Sequence, residues 1–165
     1  MTHTVEQIIK QWQTQGFADD QITVMESIRR LKRLDVLLMR QLNRVYQEHH
    51  LNQSEFDVLA ALRRAGKPYT LSPTELFASM MVTSGTMTNR LQQLEKKQLI
   101  KRLENPDDKR SLLVQLTTKG IAVIDKVVPA HIELENQLLS AMSKEELIII
   151  NTLLKKIEAN LPQNK

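Results

Sequence analysis

One stretch of this chain abandons the helical period that governs the rest. Up to Lys96-Lys97-Gln98, apolar residues recur every three or four positions. Then Leu99-Ile100-Lys101-Arg102-Leu103 and Leu112-Leu113-Val114-Gln115-Leu116 read as two strands. A polar, turn-rich loop, Glu104-Asn105-Pro106-Asp107-Asp108-Lys109-Arg110-Ser111, joins them. Helical spacing resumes after Thr117, at Ile121, Ile124, Val127 and Val128. A single antiparallel ribbon set between helices is a narrow architectural choice. It makes the chain mainly α, with a minor β component (α+β).

The helices on either side fix what the ribbon belongs to. Asn52 followed by Glu55 reads as a helix cap, opening a helix that carries Phe56, Leu59, Ala60 and Leu62 and ends at Gly66-Lys67-Pro68. Ser72-Pro73-Thr74-Glu75 places a cap, a proline at the first helical position and an acid at the third, and starts a short helix to Met80. A break at Val82–Gly85 leads into a third helix over about 84–97. Its buried stripe is Met87, Leu91 and Leu94, leaving Thr86, Thr88, Asn89, Arg90, Gln92 and Gln93 free to point outward. Three short helices with small turns form a helix-turn-helix unit, and a ribbon directly after it is a wing.

Longer helical runs bracket this module. Val5, Ile8, Ile9 and Trp12 share helical spacing that stops near Gly16. A broad apolar face from Ile22 to Val45 is decorated by Arg29, Arg30, Lys32, Arg33, Arg40 and Arg44. Pro129 sits inside the helix that follows the ribbon and is expected to kink it rather than end it, since apolar spacing resumes at Ile132. Ser143-Lys144-Glu145-Glu146 caps a last helix whose Leu147-Ile148-Ile149-Ile150 run cannot all face one small core. A second copy of the chain is the simplest cover. The organisation is therefore residues 1–50 as N-terminal helices, 51–117 as the winged unit and 118–165 as C-terminal helices, with both termini building a dimerisation region.

Charge locates a partner. The formal net charge of +4 is modest, but residues 81–120 hold eight bases against four acids and residues 21–50 hold six against three. The remainder is net acidic. Segregated basic segments point to an anionic partner, although solvated helix faces produce the same pattern. Ser84, Thr86, Thr88, Asn89 and Arg90, at the start of the third helix, suit close approach to base edges. Lys109 and Arg110 at the hairpin tip suit a neighbouring minor groove or phosphate. Stacking aromatics, which a single-strand binder would want, are missing from both the ribbon and this helix.

Other chemistry finds little footing. The chain has no cysteine and 4 glycines, which excludes thiol chemistry, Cys-ligated metal and most phosphate-cradling loops. Glu48-His49-His50 and His131 with Glu133 and Glu135 lack the spacing of a tight metal site. No nucleophile, paired acid and base or cofactor motif points to an enzyme, so no catalytic residue, metal or cofactor is expected. The chain also lacks an apolar run of membrane-spanning length and an export-like N-terminus, so a cytoplasmic protein without a membrane partner is expected.

Asp108-Lys109-Arg110-Ser111-Leu112-Leu113-Val114-Gln115-Leu116-Thr117 matches D-x-R-x-x-x-V-x-L-T at all five fixed positions. This is the wing motif of MarR family transcriptional regulators, which the chain resembles from its first helix through Leu161. The resemblance implies a homodimeric winged helix-turn-helix repressor on double-stranded DNA, reading a pseudo-palindrome with half-sites about 10 bp apart. By position in that fold, Ser72, Ser84, Thr86, Thr88, Asn89, Arg90, Lys109 and Arg110 are its DNA-binding candidates. Phe56-Asp57-Val58-Leu59, Leu71–Leu76, Met87–Leu91 and the Trp-bearing first helix resemble the PecS/HucR, urate-responsive branch. That narrower resemblance implies a small aromatic or purine anion as ligand, held by Trp12, Asp57, Arg90 and Arg102. Two guanidiniums suit a planar anion and an indole can stack on it. The same four residues could equally serve as a core aromatic, a cap or ion-pair partner and two phosphate contacts. An architectural winged-helix protein without a ligand is the alternative function.

Overall fold

In the computed structural model, residues 4–80, 84–106 and 112–162 are described, without the side chains of 84–86. The elements run α1 (Val5–Gln13), α2 (Asp19–Glu48), α3 (Gln53–Arg64), β1 (Thr70–Leu71), α4 (Pro73–Met80), α5 (Ser84–Lys96), β2 (Ile100–Glu104), β3 (Leu112–Leu116), α6 (Thr118–Leu138) and α7 (Lys144–Ala159). Mainly helical architecture with one small sheet is thus observed. Local chemistry explains most of the boundaries. Thr4 with Gln7, Asn52 with Glu55 and Ser143 with Glu146 each exchange reciprocal side-chain and backbone hydrogen bonds at a helix start. Asn52 and Ser143 are the caps that the sequence predicts.

The main core gathers around α3. Val58, Leu59 and Leu62 of α3 meet Tyr46 of α2, Leu76 of α4, Met87, Leu91 and Leu94 of α5, Ile100 and Val114 of the sheet, and Ile124 and Val127 of α6. A separate small cluster joins Val5 and Ile9 of α1 to Ile22 of α2. The first helix is therefore tied to the far half of α2, away from the winged unit.

The sheet has the order β1-β3-β2, all antiparallel. The register of the predicted ribbon runs from Ile100 opposite Leu116 to Glu104 opposite Leu112. Strand β1 is absent from the sequence reading because two residues carry no period. The central strand recruits it: Thr70 and Leu71 pair with Gln115 and Val114, and Gln115 Nε2 donates to Thr70 Oγ1 at 2.9 Å and to the Pro68 carbonyl at 3.1 Å. At the start of α6, Gly120 packs so closely on the Leu99 backbone carbonyl that a Cβ there would collide with it.

Pro129 is carried inside an unbroken α6. Helix α7 buries none of its residues, and Ile148, Ile149, Leu153, Ile157, Ile132, Leu34, Val36 and Leu37 all remain exposed on α7, α6 and α2. Among the described residues, no helix is long and apolar enough to cross a membrane.

Candidate nucleic-acid interface

Helix α5 is held by the stripe the sequence predicts: Met87, Leu91 and Leu94 are all buried. That fixes its rotation, and Thr88, Asn89, Gln92 and Gln93 consequently face solvent. They form a neutral row of hydroxyl and amide groups on the last helix of the helix-turn-helix. Of the other predicted contacts, Ser84 opens α5, but its side chain and that of Thr86 lie outside the described residues. Lys109 and Arg110 lie outside them altogether. The strands that carry their loop are in place, since β2 and β3 pair along their full length.

Ser72 has a defined local task. Its hydroxyl accepts from Glu75 N–H at 3.2 Å and donates to Glu75 Oε2 at 2.8 Å, while its own N–H donates to the same oxygen at 2.7 Å. These bonds, the backbone one foremost, hold the Glu75 carboxyl below the usual carboxylate range. Ser72 is thereby the cap that starts α4.

Arg90 behaves differently from its neighbours on α5. Sequence spacing puts it outward with Asn89, yet it is half-buried and its Nη1 is enclosed without a hydrogen-bond partner among the described residues. Asp57, on α3, feels its charge. Burial pushes the Asp57 carboxyl up, and the charges of Arg90, then His131 and Arg64, pull it back. Arg90 also lines a polar cleft of about 670 Å³ with Asn43, Gln53, Ser54, Asn89 and Gln93.

Arg102, at the base of the wing, lies 3.2 Å from Glu95 of α5 through Nε. That contact is an ion pair without hydrogen-bond alignment, so among the described residues the enclosed Nε has no hydrogen-bond acceptor. An enclosed donor left unpaired costs about 1–3 kcal/mol; Arg90 on α5 carries such a donor, Arg102 on β2 is offset by Glu95, and both guanidiniums suit an anionic acceptor. The structure therefore brings Asp57 and Arg90 together electrostatically and sets Arg102 against α5. Trp12 stands elsewhere in the chain. It is 40% exposed, meets Phe17 edge-to-face at 5.3 Å, and lines a groove of about 330 Å³ between α1 and α2 with Ile8, Val24, Ile28 and Lys32.

Two groupings near this site join residues that the sequence does not connect. Tyr46 stacks on Phe56 at 4.5 Å and its hydroxyl lies 3.0 Å from His131 Nδ1, while His131 Nε2 lies 3.0 Å from Glu135. Burial pushes the Tyr46 phenol well above its ordinary pKa. This spends His131 on aromatic and carboxylate neighbours, and among the described residues no His, Asp and Glu cluster could hold a metal. The second is Lys97 with Glu55, a pair 42 residues apart in sequence. The Asn52–Glu55 capping signal marks one partner, and nothing local marks the other.

Residues 51–112 match the model of the MarR family. Over 161 residues the chain is 37% identical to the HTH-type transcriptional regulator PecS of Dickeya dadantii, covering 98% of this chain and 96% of that protein. It is 30% identical over 123 residues to the HTH-type transcriptional regulator MhqR of Bacillus subtilis, covering 74% of this chain and 82% of the other. A mutant of the Escherichia coli protein MarR, complexed with operator DNA, has the same fold with a TM-score of 0.75 at 29% identity. That match covers 88% of this chain and 100% of that one.

Proposed function

This chain belongs to the MarR family, and on that premise we propose that it is a homodimeric regulator of transcription that reads double-stranded DNA with α5 and is released by a small planar anion. One observation carries the DNA-reading part. The Met87, Leu91 and Leu94 stripe turns Thr88, Asn89, Gln92 and Gln93 outward on the third helix of a helix-turn-helix. Side-chain amides and hydroxyls of this kind discriminate base edges in the major groove. Lys109 and Arg110, on the loop between β2 and β3, take the flanking backbone or minor groove in this reading.

Dimerisation supplies the second reading helix. The exposed apolar residues of α7, α6 and α2 support it, because a face of this extent is covered by a partner in stable proteins. An isologous pairing places two copies of α5 on successive major grooves, with half-sites about 10 bp apart. The natural output is repression by occupancy of the site.

For the effector, Arg90, Arg102 and Asp57 carry the reading. An aromatic or purine anion would satisfy the enclosed Nη1 and Nε and join α5 to the base of the wing. It releases DNA only if it binds the DNA-incompetent geometry more tightly than the competent one. The indole of Trp12 lines the separate α1–α2 groove of the same chain, so this reading gives it a stacking role only if the Trp12→Phe variant loses anion affinity.

The test has two stages. A duplex preferred by the protein is selected from a random library, and aromatic and purine anions are screened for those that release it. Direct anion affinity is then measured by calorimetry for Trp12→Phe, Arg90→Ala and Arg102→Ala. If all three keep wild-type affinity for every releasing anion, the effector site is not here. If no duplex is preferred over a scrambled one at any salt concentration, the protein is an architectural binder and the regulator reading fails.

A further inference from the structure

Four helix ends meet at one ion pair. At the C-terminus of α2, His50 turns left-handed with φ 57°, its N–H bonding the Gln47 carbonyl at 2.9 Å and Leu51 N–H bonding the Tyr46 carbonyl at 2.9 Å. At the C-terminus of α5, Gln98 does the same with φ 59°, its N–H on the Glu95 carbonyl at 2.9 Å and Leu99 N–H on the Leu94 carbonyl at 3.0 Å. Both are Schellman closures made by residues other than glycine. Lys97 lies immediately before Gln98, and its ammonium crosses to the other closure, donating to the His50 carbonyl at 2.9 Å.

The same ammonium meets Glu55, which is buried and carries the cap of α3. Lys97 Nζ is 2.7 Å from Glu55 Oε1 and 2.8 Å from Oε2, and Glu55 Oε2 also accepts from Asn52 N–H at 3.0 Å. The fourth end is that of α6. Lys119 Nζ donates to the Lys97 carbonyl at 2.8 Å and Thr117 Oγ1 donates to the Gln98 carbonyl at 2.7 Å. A cation placed at two helix C-termini and a carboxylate at a helix N-terminus each agree with the local helix dipole. The contacts that set the end of α5 against α2 and α3 therefore converge on a single buried carboxylate and its ammonium, and α6 holds the backbone carbonyls beside them.

We infer that Lys97 and Glu55 are positioning residues for DNA recognition: their ion pair, with the His50 carbonyl, sets the angle at which α5 meets DNA relative to the long helix α2. The inference rests on the reading of α5 as the DNA-reading helix. The pair contacts no base. It acts by holding Thr88, Asn89, Gln92 and Gln93 in the register that two half-sites demand, so its loss falls on sequence preference before it falls on general DNA affinity.

Lys97→Met alone leaves the buried carboxylate unpaired and endangers folding, so the decisive variant is Glu55→Gln with Lys97→Met, which buries no charge and keeps an acceptor for Asn52 N–H. Affinities are measured over a salt series for the duplex selected by the wild-type protein and for a scrambled duplex of equal length. Expected is a loss of roughly tenfold or more on the selected duplex, the share of about one good base contact, with scrambled-duplex affinity and salt slope unchanged. Lys97→Arg, which keeps the charge and its donors, is expected to retain the preference. Equal losses on both duplexes with a salt slope lower by about one would mark Lys97 as a phosphate contact and overturn the inference. So would unchanged affinity with only a lower melting temperature, or a Lys97→Arg protein as impaired as the double variant. A wild-type protein that prefers neither duplex overturns the assignment of α5 itself, and the inference with it.

Discussion

Replacing Ile149, Leu153 and Ile157 together with glutamine separates the fold of one chain from the assembly of two. These residues form one stripe on α7 at i, i+4 and i+8 and are 58%, 52% and 40% exposed, together about one and a half complete side chains. Since α7 buries none of its residues in the single chain, and glutamine is a good helix former, the helix itself survives the change. Covering an aliphatic side chain completely contributes about 1.5–3 kcal/mol, so this stripe contributes about 2–4 kcal/mol per protomer when a partner covers it. A two-fold interface counts every residue twice, which brings the effect to about 4–9 kcal/mol, or roughly three to six orders of magnitude in the dimer dissociation constant. Sedimentation velocity from nanomolar to micromolar concentration reads that shift, with far-ultraviolet circular dichroism confirming retained helix. A triple variant whose dissociation constant stays within about tenfold of wild type, a difference of ~1.4 kcal/mol, would falsify the assignment of α7 as the self-association face.

Three further outcomes test the fold and the site. Gly120→Ala forces a Cβ onto the Leu99 backbone carbonyl, which cannot swing away, and urea unfolding should show a loss of at least about 1–3 kcal/mol. Ser72→Ala removes the α4 cap and should lower stability by about 1 kcal/mol. Because the Glu75 carboxyl is held low through Ser72, the stability it supplies is present above the ordinary carboxylate range and is lost as pH falls towards the depressed value. That acid-limb dependence should shrink in the variant without vanishing, because the backbone N–H of residue 72 still donates to Glu75. Asp57 has the opposite sign: burial raises its pKa, so its ionised form opposes folding at neutral pH and stability recovers as pH falls between the raised and ordinary values. Asp57→Asn should therefore melt higher than wild type at pH 7, and a lower melting temperature there would show that the Arg90 pairing outweighs the desolvation.

Features governed by local spacing were legible in the sequence. The Met87, Leu91 and Leu94 stripe, the Asn52 and Ser143 caps and the two long strands all follow from residues within a turn or a hairpin of one another. The features missed are those that need a distant partner. Strand β1 exists because Gln115 and Val114 offer it an edge more than 40 residues further on, Thr70 opposite Gln115 and Leu71 opposite Val114. Lys97 is an ordinary lysine until the chain brings Glu55 and the His50 carbonyl to it. Helical spacing puts Arg90 outward, yet it is half-enclosed, and the acid that feels its charge, Asp57, lies on another helix. Trp12 shares the spacing of Val5 and Ile9, yet it stands 40% exposed at the end of α1 beside Phe17, where the satellite core has already run out.

Helix α2 has a mechanical consequence. Its 30 residues make a rod about 45 Å long at ~1.5 Å per residue. One end is packed on α1 through Ile22 and the other terminates at the ion pair that fixes α5. A rod of that length converts a rotation of only about 5° at one end into about 4 Å of travel at the other, close to the ~3.4 Å rise of one base-pair step. Discrimination between bound and released states thus requires no unfolding and no large hinge. An angular play of a few degrees is enough to carry a reading helix from one base pair to the next, so stiffness at the joint translates directly into fidelity on DNA.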